Sequence, residues 1–224
     1  MEYKHLKNIV VYETTKRKKS AHVNKINLCR ILEFNRRMNS MEYILPINGK
    51  IIVEIKMQDY DNYKTLTRNE FIKYNGGVCF DYVMYEDWYF TAKFSNIPHR
   101  TFYCDFTDVD GDHPSHSFLL FYIDNDVYWF ESSWKIMRGV YKFSSENMAL
   151  SYIIDVLKKN ADEKIVDEFI CEYNASSQNL IHVSIEDYRD YMLKQTPKQY
   201  RRIKNPNYEN KLKLTDLIDN MNKG

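Results

Sequence analysis

Apolar and polar positions alternate along this chain in segments of two kinds. Asn8 to Thr14 (NIVVYET) reads as a short β-branched strand, and the like charges of Lys16-Arg17-Lys18-Lys19 are expected to break it. From Asn27 to Met38, Leu28, Ile31, Leu32 and Met38 recur near helical spacing and predict a helix. Tyr43 to Ile47 and Ile51 to Ile55 flank Asn48-Gly49, a pair that accepts the positive φ angles of a tight hairpin turn. Pro46 places its strand at an edge. Thr67-Arg68-Asn69-Glu70 has the form of a capping box, and it should open a short helix through Tyr74, stopped by Gly76-Gly77. A second helix follows from Val78 or Cys79 to about Phe90. Phe80, Met84 and Trp88 form its stripe, with Cys79, Val83 and Phe90 close by, so it should be largely buried.

The pattern then turns to strands. Thr101 to Phe106, His116 to Ile123, Val127 to Trp134 and Val140 to Phe143 are strand-length runs, the middle two joined as a hairpin through Asp124-Asn125-Asp126. Ser144 or Ser145 can cap a helix to about Lys159 that buries Met148, Tyr152, Ile153, Val156 and Leu157. Lys164 to Tyr173 reads as strand. Ser184 with Asp187 opens a helix through Leu193, Thr215 caps a last short one, and Pro197 to Pro206 is a linker or draped tail. The fold class is α+β: a buried helix packed on a mostly antiparallel sheet.

Composition narrows the class. The 224 residues suit one sizeable domain, and 19 Tyr with 12 Phe speak against a disordered chain. The longest apolar candidate, Phe118 to Tyr122, is far below the roughly 20 residues of a membrane span. The first residues carry no signal-peptide core, so a cytoplasmic location is expected. The net charge of +1 conceals segregation: residues 1–37 hold 10 basic against 3 acidic side chains, 38–195 hold 15 against 25, and 196–224 hold 7 against 3. Such ends allow a nucleic-acid partner, but neither carries a recognised binding motif, and solvated arms are the favoured reading.

Three segments carry chemistry. In Gly76-Gly77-Val78-Cys79-Phe80-Asp81-Tyr82 a cysteine follows a glycine pair and opens a helix. Glycine lets substrate approach the sulfur, and helix N-terminal N–H groups favour a thiolate and can hold an oxyanion. A small packing residue explains Cys79 equally well when it is taken alone. His116 opens an apolar strand, and Glu131 interrupts the next one, where a carboxylate needs a partner. An even hairpin loop pairs Phe118 with Glu131 and puts His116 and Glu131 diagonally on one face; a three-residue loop turns Glu131 away. In chain order the three form a nucleophile, a general base and an orienting carboxylate.

These three motifs together resemble the transglutaminase-like superfamily of papain-related cysteine enzymes, and most of all its small bacterial and phage members of unknown function. The resemblance covers about residues 65–160. It implies Cys79 as nucleophile, His116 as base and Glu131 as third member, where the superfamily usually has Asp. Many members place Trp after the cysteine; here Phe80 keeps the packing and lacks the indole N–H. Residues 1–64 form an N-terminal extension and 161–224 a C-terminal one on this core, and substrate choice is expected to lie in them.

The function expected is a hydrolase or acyltransferase acting on an amide bond of a peptide or protein. Peptidase, amidase and transamidase chemistry stay open, as does the acyl transfer of the arylamine N-acetyltransferases, which share a similar cysteine motif. The alternative is a non-catalytic binding module, or a phage virion or host-interaction module, on the same fold. Gly77, Phe80, Trp134 and Asp112 are the candidate cleft residues. No cofactor or metal is expected. Asp108, Asp110 and Asp112 begin like a calcium loop, but His113 stands where such a loop needs Gly and Leu119 where it needs Glu. His99, Cys104, His113 and His116 are too irregularly spaced for a zinc set. Cys29, Cys104 and Cys171 read as packing residues.

Overall fold

A computed structural model describes residues 15–160, 165–203 and 212–213. The expected strand at Asn8–Thr14, the Thr215 cap and the far end of the tail lie outside the described residues, as does much of both basic ends.

Helix α1 spans Thr15–Met38. It takes in the basic run Lys16–Lys19 and begins well before the helix expected from Asn27. Its inner face carries Ile31, Leu32, Phe34, Asn35 and Met38, all buried. Short strands β1 (Glu42–Tyr43), β2 (Leu45–Ile47) and β3 (Lys50–Ile52) follow. β2 and β3 pair as the expected hairpin, with Asn48 and Gly49 both at positive φ (48° and 79°).

Helix α2 (Arg68–Tyr74) is opened by the predicted capping box: the Glu70 N–H donates to Thr67 Oγ1, and Glu70 accepts from the Thr67 N–H. It ends at Tyr74, as the pattern implied, but the residue that stops it is not the glycine pair. Asn75, at φ 56°, is the left-handed cap, which frees Gly76–Gly77 to form β4, parallel to β1. Helix α3 (Cys79–Lys93) starts immediately after.

Among the described residues the main sheet has six strands in the order β10-β8-β7-β6-β5-β9, every neighbour antiparallel. They are β5 (His99–Asp108), β6 (Ser115–Ile123), β7 (Asp126–Glu131), β8 (Gly139–Phe143), β9 (Ile165–Tyr173) and β10 (Leu212–Lys213). Helices α4 (Glu146–Asn160) and α5 (Ile185–Leu193) complete the fold, started by Ser145 and Ser184 respectively.

Both faces of this sheet are covered, which explains why its strands read as continuous apolar runs rather than alternating ones. One face, with Tyr103, Leu119, Phe121, Tyr128 and Phe130, packs with α1 and α3. Phe34 links these layers, its ring 3.7 Å from Tyr89 and 5.4 Å from Phe130. The other face, with Phe102, Phe118, Leu120, Trp129 and Tyr141, packs on Ala149, Leu150, Ile153 and Ile154 of α4. The segment after α5 is draped on this body. The Lys198 N–H donates to the Ile170 carbonyl at 2.7 Å, and the Ile203 N–H to Ser151 Oγ at 3.0 Å. No helix among the described residues is long and apolar enough to cross a membrane.

Candidate active site

The cysteine segment is shaped by two close approaches. A Cβ on Gly76 would stand 1.9 Å from the Glu42 carbonyl oxygen, so only glycine permits β4 to lie against β1. A Cβ on Gly77 would meet Asp81 Oδ2 at 2.7 Å. Asp81 needs that space because it caps α3. Its carboxylate accepts from the Val78 N–H at 2.9 Å and the Leu66 N–H at 2.8 Å, and from the Tyr63 hydroxyl. Burial pushes its pKa up to about 6, against the pull of those three donors. The glycine pair and the aspartate thus fix where α3 begins, and Cys79 is its first residue, buried.

The β6–β7 hairpin supplies the other half. Ile123 pairs with Asp126 across a two-residue turn, and the ladder runs to Leu119 with Phe130. The next positions bring Phe118 opposite Glu131, which is the even register. His116 and Glu131 consequently share a face, and His116 Nε2 lies 2.8 Å from Glu131 Oε2. Both side chains are almost wholly buried, at 7 % and 2 % exposure. The second carboxylate oxygen of Glu131 accepts from the Ser133 N–H at 2.8 Å, the Ser133 hydroxyl at 2.9 Å and the Trp134 N–H at 2.8 Å. From α1, Asn35 Nδ2 donates to the Glu131 carbonyl at 3.1 Å.

The electrostatics follow from this enclosure. Burial opposes a charged imidazole at His116, but the Glu131 carboxylate, and after it the nearby Cys79, outweigh burial and push its pKa up to about 10. Burial likewise raises Glu131, yet His116 and the Ser133 and Trp134 donors hold it below the ordinary carboxylate value. Glu131 engages Nε2, so Nδ1 is the ring nitrogen that the carboxylate leaves open.

This predicts a pH dependence of stability. The folded chain holds the His116 proton more tightly than the unfolded chain, whose imidazole titrates near 6.5. The contribution is therefore complete below pH 6.5 and lost as the pH rises through about 10. Urea unfolding should lose on the order of 5 kcal/mol across that interval, and the slope should flatten in His116→Gln. A variant as steep as the wild type would contradict the assignment.

The remaining sequence candidates fall at unequal places. Trp134 is half-buried, its ring edge-on to His116 at 5.9 Å. Phe80 is buried against Tyr188, ring to ring at 4.5 Å, and acts as packing. Asp112 stands exposed in the turn before β6, its N–H donating to Asp108 Oδ1 at 2.8 Å. That oxygen also accepts from the Asp110 N–H, so the acidic turn is held by its own backbone. Among the described residues no three His, Cys, Asp or Glu side chains group as a metal set. Cys104 and Cys171 are buried thiols, the first donating to the His116 carbonyl at 3.3 Å.

Sequence reasoning missed Glu86. It is 1 % exposed on α3, bonded to the Ser132 hydroxyl, and burial pushes its pKa well up with Glu131 adding to the effect. Its signal was present: Cys79, Val83, Glu86 and Phe90 fall on one helical face. Tyr43 was missed as well. It is brought to Gly77 by the β1–β4 pairing, and no local pattern announces that contact.

No protein-family model matches the chain, and no curated protein matches it.

Proposed function

We propose that this protein is a cysteine-nucleophile hydrolase or acyltransferase acting on an amide bond, built on a transglutaminase-like, papain-related core. The observation that carries the reading is the buried His116–Glu131 pair, with Cys79, the first residue of a buried helix, among the groups that raise the imidazole pKa.

In this reading the Cys79 proton resides on His116, which Glu131 keeps charged and oriented. The sulfur attacks the substrate carbonyl carbon, and the N–H groups at the α3 terminus face the developing oxyanion. His116 passes its proton to the departing amine as the C–N bond breaks, leaving a thioester on Cys79. Water or a second amine, deprotonated by His116, attacks the thioester carbonyl; the C–S bond breaks, and the thiolate and charged imidazole are restored. Water gives peptidase or amidase activity, and an amine gives transamidase activity. Glu131 touches no reacting atom and is a positioning residue.

The experiment is a screen of peptide amides and activated acyl donors, with intact-mass and peptide mapping for an acyl group on Cys79. The expected result is a trapped thioester at Cys79 that is absent in Cys79→Ala. Acylation spread over other nucleophiles, and unchanged in Cys79→Ala, would sink the reading.

A further inference from the structure

One cavity is lined by residues from the strand and the turn that flank this site. It has a volume of about 530 Å³, within the range of small-molecule pockets, and is lined by Glu42, Tyr43, Val53, Ile55, Tyr60, Lys135 and Arg138. Tyr43 pairs with Gly77, two residues before Cys79, and the next N–H, of Ile44, donates to the Gly77 carbonyl at 3.1 Å. Lys135 directly follows Trp134, whose ring is set against His116. The Tyr43 and Tyr60 hydroxyls meet at 3.5 Å. Burial raises the pKa of both phenols.

The lining has a definite chemistry. Two phenol faces and two aliphatic side chains, Val53 and Ile55, form its apolar surface. The charged residues are Glu42, Lys135 and Arg138, and Arg138 is committed to the carbonyls of Asn39 at 2.7 Å and Met41 at 2.8 Å. A flat aromatic side chain matches this lining; a charged one would give up hydration without a dedicated buried partner.

We propose that this cavity is the acyl-side subsite of the enzyme and that it selects substrates with an aromatic side chain next to the carbonyl that Cys79 attacks. The inference rests on the nucleophile reading above. It goes beyond it by assigning selectivity to residues of the N-terminal extension and to the turn after β7.

The test uses two affinity labels that report on Cys79 without turnover: the chloromethyl ketones of N-acetylphenylalanine and of N-acetylglycine. Rates of Cys79 alkylation are followed by peptide mapping in the full chain. The expected result is a phenylalanyl-to-glycyl rate ratio of about tenfold or more, the worth of burying a benzyl group. The ratio should collapse towards one in Val53→Trp, which fills the cavity from an exposed position, and in Ile55→Asp, which charges it. The glycyl label reports in each variant that the site remains folded. Alkylation of Cys79 that is equally fast in His116→Ala overturns the nucleophile reading and this inference together. Alkylation that depends on His116 but shows a ratio near one, or the same ratio in both cavity variants, overturns the subsite alone.

Discussion

Replacing Glu131 with alanine should cost about 3–5 kcal/mol of folding stability, the price of leaving a buried charge without its partner. The size follows from how completely the carboxylate is used. One oxygen holds His116 Nε2, and the other takes two backbone N–H groups and the Ser133 hydroxyl. Alanine removes all of these acceptors from a site that is closed to water. Glu131→Gln separates the two roles of the residue. Its amide oxygen can still accept from Ser133 and Trp134, so the fold should lose roughly 1–2 kcal/mol. The imidazole nevertheless loses its anion, and its titration should return towards the ordinary histidine range. Urea denaturation at neutral pH measures the first effect, and the pH dependence of stability between 6.5 and 10 measures the second. Equal losses for Ala and Gln would mean that charge, not hydrogen bonding, carries the whole contribution. A loss below 1 kcal/mol for Ala would mean that the pair is not held as described.

The second large effect is expected at Gly76. An alanine Cβ would lie 1.9 Å from the Glu42 oxygen and 2.9 Å from its carbonyl carbon, both main-chain atoms that no rotamer change can move. Relief requires β1 to separate from β4, which withdraws Tyr43 from Gly77. Gly76→Ala should cost about 3 kcal/mol, a fall in melting temperature of roughly 6–12 °C for a chain of this size. Gly77→Ala tests a different contact. There the Cβ meets the Asp81 side chain, so what gives way is the carboxylate that caps α3. The two variants should therefore diverge in the behaviour of Cys79, which follows the cap directly. A melting temperature within 2 °C of the wild type for Gly76→Ala, on the same scale, would contradict the β1–β4 geometry.

Much of this arrangement was legible in the sequence because it is local. The Asn48-Gly49 turn, the Thr67–Glu70 capping box and the Ser184 cap each depend on residues within four positions of one another, and each formed as the pattern implied. The buried helix and the strand runs were legible from period and length. The candidate site was legible as three motifs but not as a geometry. Whether Glu131 faces His116 depends on the parity of the β6–β7 turn, and Asp126 serves as the first strand residue rather than the last loop residue. The departures have similar causes. Met84 and Trp88 are only half-buried, while Asp81 and Glu86 on the same helix are buried, because hydrogen bonds from Tyr63, Leu66 and Ser132 satisfy carboxylates that polarity alone assigns to solvent. The helix ends at Tyr74 as expected, but Asn75 rather than Gly76 supplies the left-handed cap, since asparagine also adopts it. Tyr43 came to the site through a long-range strand pairing that no window of the sequence contains.

The central claim is that His116 and Glu131 prepare Cys79 as a nucleophile, and the rate of its alkylation tests that most directly. Iodoacetamide is added near neutral pH, and all four cysteines are followed by peptide mapping. Exposure alone would make Cys29 the fastest, since it is half-buried whereas Cys79, Cys104 and Cys171 are buried. The predicted result is that Cys79 reacts about tenfold faster than Cys29 or more, and that His116→Ala removes the advantage. If Cys29 leads, and Cys79 reacts at the same rate with and without His116, the site is a structural ion pair beside a packing thiol.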